Sequence, residues 1–236
     1  MRKPNLFSVI DKAIYDYNMI ENGDKILIGA SGGKDSTSLL EYFANRQHRK
    51  GENFTFTAMH IETDFGSCAI SPRLRELVKS WGIDLKNLFV NVQGRLKPGK
   101  KMNCYWCSTQ RRTELLRYAL DNGYTKLVLG HHMDDILETL LMNMLTKGSL
   151  STMPPKFTYK KYPLTIIRPL CYADIKSIKE HAAEQGYIST TCTCTYQDNS
   201  GRKEARSKLE ALTGGDKKAK EKLFASLRNI DSLYLP

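Results

Sequence analysis

The chain has 236 residues, is 41% hydrophobic and 26% charged, and carries a formal net charge of +11. It is long enough for one globular domain with a buried core and a short appendage. No apolar stretch approaches the ~18 to 20 residues of a membrane span, and charges interrupt the N-terminus where a signal peptide is apolar, so we expect a soluble cytoplasmic protein without a membrane partner. The positive charge favours a polyanionic partner, with nucleic acid as the first candidate.

An amphipathic helix is predicted over residues 5–20, followed by apolar runs that alternate with helical patterns. Ser71-Pro72 reads as an N-cap and first-turn proline, and Asp174 as the cap of a later helix. Such alternation is typical of βαβ units, and it predicts an α/β fold with a doubly wound parallel sheet of about five strands. The predicted strands are 25–30, 54–61, 87–92, 126–131 and 165–170.

The composition changes from about residue 195 onward, where strand formers become scarce and Lys and Arg become frequent. Gly214-Gly215 separates two helical stretches in this part. We therefore expect an α/β domain over residues 1–194, followed by a basic helical C-terminal extension over 195–236.

The first predicted strand ends in a glycine-rich turn, SGGKDS at Ser31 to Ser36, that enters a helix. Such a turn offers backbone N–H groups and a helix dipole to a phosphate. It is not a Walker A loop, because Asp35 follows the lysine and Ile28 occupies the first glycine position. It resembles the PP-loop of N-type ATP pyrophosphatases, which implies ATP, Mg²⁺ and cleavage between the α and β phosphates. The predicted ATP-binding residues are Ala30, Ser31, Gly32, Gly33, Lys34, Asp35 and Ser36, with Gly130 from a later strand end.

The fourth predicted strand ends in GHHMDD, residues 130 to 135, and a second helix follows. Parallel strands end at one edge of a sheet, so this corner should face the SGGKDS loop. Asp134 and Asp135 are candidates for binding Mg²⁺ or taking a proton, although one of them can instead cap the helix. His131 and His132 are weaker candidates, because a histidine beside a strand is as often a packed side chain.

Cys104 and Cys107 are three residues apart, a spacing at which both thiols can reach one metal. Cys192 and Cys194 form a second group. Zinc with four thiolates and an iron-sulfur cluster with three or four both remain open on spacing alone. For Cys68 and Cys171 we expect ordinary burial.

These motifs together resemble the bacterial tRNA 2-thiocytidine synthetases (TtcA), within the TtcA/TtuA group of PP-loop tRNA thiolation enzymes. The resemblance runs nearly end to end and includes SGGKDS, CYWCSTQRR, TKLVLGHHMDDILETLLMNML, MPPK and IIRPLCY. It implies an adenine nucleotide alpha-hydrolase-like fold. It also implies that ATP adenylates the C2 oxygen of a tRNA cytidine and that sulfide then replaces AMP.

The resemblance further implies a 4Fe-4S cluster held by three cysteines, with Cys104 and Cys107 as the first two ligands. We choose Cys194 as the third ligand, because it keeps the family's spacing to an asparagine and an arginine, whereas counting from Arg168 favours Cys192. Arg111 stands where TtuA relatives carry a lysine; arginine is no base at neutral pH, so we assign it to the AMP phosphate or the tRNA backbone. A cysteine desulfurase or sulfide would supply the sulfur, and both monomer and homodimer remain open.

Three alternatives compete with this interpretation. The same site could thiolate a different tRNA nucleotide. A desulfidase would keep the cluster and drop adenylation, but it would leave the intact SGGKDS loop unexplained. A zinc-stapled RNA-binding module would have no need of Asp35, Asp134 and Asp135 around one phosphate site.

Overall fold

A sheet of six strands organises the part of the chain that the computed structural model describes, namely residues 5–64, 69–187 and 200–234. The strand order is β3-β2-β1-β4-β6-β5, and every neighbouring pair is parallel except β5 with β6. The predicted parallel sheet is thereby confirmed. The strands are β1 (Asp24–Gly29), β2 (Phe54–Thr63), β3 (Leu85–Val90), β4 (Lys126–Val128), β5 (Lys156–Thr158) and β6 (Thr165–Ile167).

The antiparallel edge strand β5 is absent from the sequence prediction. It has only three residues, and its Phe157 is exposed, so no apolar run marks it. Pairing with β6, including a contact of 3.0 Å between the hydroxyls of Thr158 and Thr165, defines this strand. Such long-range pairing leaves no local signal in the sequence.

Eight α-helices and one short 3-10 helix accompany the sheet within the described ranges. Two predicted features of them are confirmed: the first helix buries Leu6, Ile10 and Ile14, and Ser71 caps the third by accepting a hydrogen bond from Leu74 N at 3.3 Å. The helices are α1 (Leu6–Asp16), α2 (Lys34–Arg46), α3 (Pro72–Ser80), α4 (Cys104–Asp121), α5 (Met133–Lys147), α6 (Ile175–Glu184), α7 (Ser200–Thr213) and α8 (Lys217–Ser226), with the 3-10 helix at Ser232–Tyr234.

The two faces of the sheet have separate hydrophobic cores. Side chains alternate along β1, so that Ile26 and Ile28 join one core and Leu27 joins the other. Helices α1, α2, α3, α5 and α6 contribute to the first core, while α4 supplies Leu115 and Ala119 to the second. Helix α4 therefore lies alone on its face among the helices described.

The order of the strands reverses direction at β1. From β1 the chain moves outward through β2 and β3, and it then returns to place β4 on the other side of β1. In open α/β sheets the crevice beyond the carboxyl ends of the strands at such a switch point is where ligands bind. The SGGKDS loop follows β1 and the GHHMDD corner follows β4, so both motifs lie at this edge.

Helices α7 and α8 pack against α5. Leu209 of α7 and Phe224 of α8 belong to the first core, which joins the C-terminal helices to the rest of the fold. The domain boundary predicted at 194/195 lies outside the described residues and stays a prediction. None of the helices described is both long enough and apolar enough to cross a bilayer.

Candidate active site

The SGGKDS loop forms a tight turn between β1 and α2. Gly32 adopts a φ of +84°, a conformation that a side chain disfavours, and Gly33 takes the N-cap position of α2. The two serine hydroxyls, Ser31 Oγ and Ser36 Oγ, lie 3.1 Å apart, and Ser36 Oγ donates to the Gly33 carbonyl at 3.0 Å. The loop is thus held by its own side chains, with the N-terminus of α2 behind it.

The charges of the loop are paired with each other. Lys34 Nζ lies 2.9 and 3.0 Å from the two carboxylate oxygens of Asp35. A polyphosphate with a divalent cation could take over both partners, since the lysine suits phosphate and the carboxylate suits the metal.

The corner after β4 touches this loop directly. A Cβ atom added to Gly130 would lie 3.4 Å from Asp35 Cβ and 3.4 Å from Ser36 N. The glycine therefore allows a close approach that a larger residue would oppose. The structure in this way brings Gly130 to the other predicted ATP-binding residues.

A cavity of about 270 Å³ opens between the loop, the corner and α4. One part of its lining is apolar and the other carries hydroxyl, carboxylate, guanidinium and imidazole groups. Such a division suits a ligand with a flat apolar part and an anionic part. The lining residues are Gly29, Ala30, Ser31, Asp35, Ser36, Met59, Ile61, Ser108, Arg111, Arg112, Leu115, Leu129, Gly130 and His131.

Helix α4 contributes the positive charge of this cavity. Arg111 and Arg112 both line it, and neither has an ion pair with a carboxylate in the described residues. The prediction from sequence included Arg111 but not Arg112 or Ser108. The helical spacing could have indicated both, because positions 108, 111, 112 and 115 share one face of a helix.

His131 enters the same cavity as a neutral side chain. Its Nδ1 accepts a hydrogen bond from Arg168 Nε at 3.3 Å, so the ring proton resides on Nε2. Burial, followed by the charge of Arg168, lowers the pKa of His131 to about 3. Burial also lowers the pKa of Arg168 to about 10, and its Nη1 donates to the Pro154 carbonyl at 2.5 Å. His131 can therefore donate a hydrogen bond but does not act as a cation.

The two carboxylate oxygens of Asp134 contact residues of two other helices. Its Oδ2 accepts from Ile175 N, the first residue of α6, at 2.8 Å, and its Oδ1 lies 2.8 Å from Lys220 Nζ of α8. The predicted cap of α6, Asp174, occupies the N-cap position but makes no side-chain cap bond; its carboxylate contacts Ser177 instead. The predicted N-cap position of Asp174 is thus confirmed, while the acceptor for the first backbone N–H of α6 comes from Asp134.

Asp135 completes the capping box of its own helix, α5. His132 Nδ1 accepts from Asp135 N at 3.4 Å, and Asp135 Oδ2 accepts from His132 N at 3.2 Å. The other oxygen, Oδ1, lies 3.3 Å from Arg202 Nη1 of α7. Both aspartates of the corner thus have structural partners.

These carboxylates line a second cavity of about 370 Å³, which adjoins the first at Asp35. Glu138 also lines it and is paired with Arg206 at 2.7 Å. Three buried or half-buried carboxylates therefore each meet a cation from α7 or α8. Among the described residues, the carboxylates of the second cavity are thus paired with cations, unlike the two arginines of the first.

Comparison with known proteins assigns the family of this chain. Residues 6–208 match the PP-loop domain family. A tRNA-cytidine(32) 2-sulfurtransferase from Mannheimia succiniciproducens is 35% identical over 230 residues, covering 96% of this chain and 73% of that protein. A protein of the same name from Legionella pneumophila strain Paris is 34% identical, covering 93% of this chain and 78% of its own length.

The chain belongs to the tRNA-cytidine(32) 2-sulfurtransferase family of PP-loop proteins. Its fold is also that of the U34-tRNA thiolase NcsA from Methanococcus maripaludis, with a TM-score of 0.75 at 20% identity. That alignment covers 98% of this chain and 81% of NcsA.

In this member of the 2-sulfurtransferase family, Cys104 and Cys107 begin α4. They lie on the same face of the helix, one turn before the arginines of the first cavity. The proposed third ligand, Cys194, and its alternative Cys192 lie outside the described residues. Within the described ranges no group of three or more metal-binding side chains is found. Both thiols of this pair are half-buried.

The remaining cysteine of the described residues has a different environment. Cys171 is fully buried in the first core, and burial raises the pKa of its thiol to about 12. The predicted burial of Cys171 is confirmed, whereas Cys68 lies outside the described ranges. A protonated, enclosed thiol is unsuited to metal binding, so Cys171 serves as a control residue for the Cys104 pair.

Proposed function

We propose that the protein is an ATP-dependent tRNA sulfurtransferase. It adenylates the C2 oxygen of a tRNA cytidine, and sulfur then replaces the activated oxygen, which leaves with AMP, to give 2-thiocytidine. Its family membership supports this, and the name of its relatives, tRNA-cytidine(32) 2-sulfurtransferase, favours the cytidine at tRNA position 32. One observation carries the proposal: helix α4 aims two arginines at the PP-loop cavity and begins with a cysteine pair one turn away.

Residues of the first cavity would bind ATP. The loop from Ala30 to Ser36 would hold the terminal phosphates with its backbone N–H groups and with the N-terminus of α2. Adenine would rest on the apolar lining. Arg111 and Arg112 would face the α phosphate, where negative charge builds during nucleotidyl transfer, and His131 would offer a neutral donor beside them.

The residues around Asp35 fit a magnesium ion. Mg²⁺ in nucleotide sites is held by one or two carboxylates together with phosphates and water, so no complete protein cage is required. Asp35 lines both cavities and Asp135 lines the second, which makes these two carboxylates the proposed ligands. Asp134, with Lys220 and the α6 N-terminus on its oxygens, would position the corner.

Cys104, Cys107 and Cys194 are the proposed ligands of a 4Fe-4S cluster, with Cys192 as the alternative third ligand. Three thiolates leave one iron open, and the chemistry that the cluster would supply is delivery of a sulfur atom. Sulfide or a cysteine desulfurase would provide that sulfur. The role of the protein is to hold the activated cytidine within reach of this end of α4.

Reconstitution tests the proposal. Protein purified without oxygen is incubated with unmodified tRNA, ATP, Mg²⁺ and sulfide, and nucleosides are analysed by mass spectrometry alongside AMP and pyrophosphate. We expect one AMP and one pyrophosphate for each 2-thiocytidine. Cys104→Ser should abolish thiolation and keep ATP binding, whereas Cys171→Ala should remain active.

Two outcomes would contradict the proposal. Sulfide release from thiolated RNA without any need for ATP would favour a desulfidase. A colourless protein that contains one zinc and no iron would refute the proposed iron-sulfur cluster.

A further inference from the structure

We propose that Tyr105 together with Lys97, Lys100 and Lys101 forms a docking surface for the single-stranded RNA that flanks the target nucleotide. We call these four residues the α4 platform. The inference rests on the proposed function and adds to it where the RNA lies: over the start of α4, outside the ATP cavity.

Tyr105 is an exposed aromatic side chain at a well-anchored position. It is 79% exposed, although it lies between the two cysteines that begin α4. The residue that follows fixes the helix start: Trp106 N donates to the Asn103 side chain at 2.8 Å, and Trp106 Nε1 donates to the Val92 carbonyl at 3.1 Å. The helix start therefore packs Trp106 against the second core and leaves the ring of Tyr105 to solvent. An exposed ring on an anchored stretch of backbone is a platform on which a base can stack.

The lysines are presented by a defined turn in the loop before α4. Lys100 N donates to the Lys97 carbonyl at 3.1 Å, and Gly99 adopts a φ of +77°. Pro98 at the second position and a glycine with positive φ at the third are the requirements of a type II turn, which brings the Cα atoms of Lys97 and Lys100 within about 7 Å. The turn thus places two cations side by side.

The loop that carries this turn is fastened at its base and to α4. The Asp64 carboxylate accepts hydrogen bonds from Val92 N at 2.7 Å and Gln93 N at 3.0 Å. Arg95 pairs with Glu114 of α4 at 2.6 Å. Arg95 is therefore neutralised, whereas the three lysines of the α4 platform are exposed and have no carboxylate partner in the part of the chain described.

The α4 platform is continuous with the active site along one helix. Ser108, Arg111 and Arg112 follow Tyr105 within two turns and line the ATP cavity. A nucleotide whose base enters that cavity would lead its neighbours over the α4 platform. An exposed aromatic ring at a helix start, with unpaired cations in the loop that leads into it, can bind single-stranded nucleic acid by stacking and phosphate contacts. An acidic peptide would use the lysines but would not need the face of the ring.

Fluorescence anisotropy with a labelled anticodon stem-loop RNA tests the stacking contact on the iron-loaded protein. Tyr105→Ala should weaken binding at least about fivefold, the lower limit for loss of one base stack, while Tyr105→Phe should bind like the parent protein. Tyr15→Ala is the matched control, because Tyr15 is 83% exposed on α1 and lies outside the α4 platform. Iron content measured for each variant separates loss of stacking from loss of the metal site.

Salt dependence tests the phosphate contacts. Lys97→Glu with Lys100→Glu should weaken binding and reduce the slope of log K against log salt by about 0.7 for each lost single-strand contact. Lys218→Glu with Lys222→Glu makes the same charge change on exposed positions of α8. An equal loss of RNA affinity in both double variants would mean that the overall charge of the protein, and not the position of these lysines, determines binding, and it would overturn the inference.

Two further results would also overturn the inference. The first is an RNA affinity of Tyr105→Ala equal to that of the parent protein. The second is that poly-glutamate displaces the RNA equally well from the parent protein and from Tyr105→Ala. The binding assay needs no turnover, so its outcome is independent of the proposed reaction. Tyr105-dependent RNA binding without any thiolation would refute the proposed function alone, and thiolation unaffected by Tyr105→Ala would refute the α4 platform alone.

Discussion

The two cavities at the carboxyl edge of the sheet share Asp35 but differ in how their charges are balanced. In the first, Arg111 and Arg112 have no carboxylate partner among the described residues, and His131 is kept neutral by burial. In the second, Asp134, Asp135 and Glu138 each meet a cation from α7 or α8. Unbalanced positive charge is thus available to an anion in the first cavity, while the charges of the second hold helices together.

This difference teaches that motif residues close in sequence can serve separate purposes. The GHHMDD corner supplies Gly130 and His131 to the first cavity, whereas its two aspartates connect α5 to three other helices. Changes at Asp134 and Glu138 in the second cavity should therefore act first on stability, and changes in the first cavity should act on turnover.

The largest effect is expected from breaking the buried ion pair of the second cavity. Lys220→Met leaves the charge of Asp134 buried and uncompensated, which should lower the free energy of unfolding by about 3 to 5 kcal/mol. Urea denaturation measures this loss. Lys222→Met, at an exposed position of the same helix, should change it by less than about 0.5 kcal/mol.

The double variant Lys220→Met/Asp134→Asn sharpens this test. Asparagine removes the stranded charge and can still accept from Ile175 N, so most of the lost stability should return. Failure of the double variant to recover would mean that the pair does not carry the coupling between α5 and α8.

In the first cavity a charge deletion should slow turnover instead. Arg111→Gln should lower kcat for pyrophosphate release about 100-fold, because a charged donor to the α phosphate is lost at the transition state. The melting temperature should not change, since Arg111 has no carboxylate partner among the described residues to leave unpaired. Arg117→Gln is the control on the same helix, at a side chain that is 65% exposed and outside the cavity. An Arg111→Gln protein that is destabilised but fully active would contradict the expectation that this residue of the first cavity acts on turnover.

The smallest effect concerns the pH dependence of stability. Because the folded protein keeps the pKa of His131 near 3 while the unfolded chain has the ordinary value near 6.5, only the unfolded chain takes up a proton between these values. Stability is therefore fully present above about pH 6.5 and falls with decreasing pH, by about 2 kcal/mol between pH 7.5 and 5 from this residue.

His131→Gln should remove that contribution and flatten the profile of denaturation midpoint against pH. The same substitution at exposed His48 is the matched control. An unchanged slope in His131→Gln would mean that the imidazole is hydrated and accepts protons in the folded state.

Local patterns predicted most of the fold but only the core of the site. The parallel strands, the Ser71 cap and the glycine-rich turn are each specified within a few neighbouring residues, and each was confirmed, although β3 leaves Phe89 exposed where a buried strand was predicted. Strand β5 and the pairing of Asp134 with Lys220, 86 residues away, depend on long-range contacts. Asp174 occupies its predicted N-cap position, but its carboxylate contacts Ser177, and Asp134 of another helix accepts from Ile175 N. Sequence neighbours cannot reveal that contact, because it is decided by packing.

The single helix α4 carries both the cysteine pair and the arginines of the first cavity. A residue of an α-helix advances by about 1.5 Å and turns by about 100°, so Arg111 follows Cys107 by about 6 Å along the axis and on nearly the same face. Inserting one residue between them would lengthen this gap only slightly, yet it would swing the guanidinium about 100° away from the line of the thiols. The position of the cysteine pair relative to the arginines of the first cavity therefore depends on the helical repeat of α4 and not on the surrounding loops.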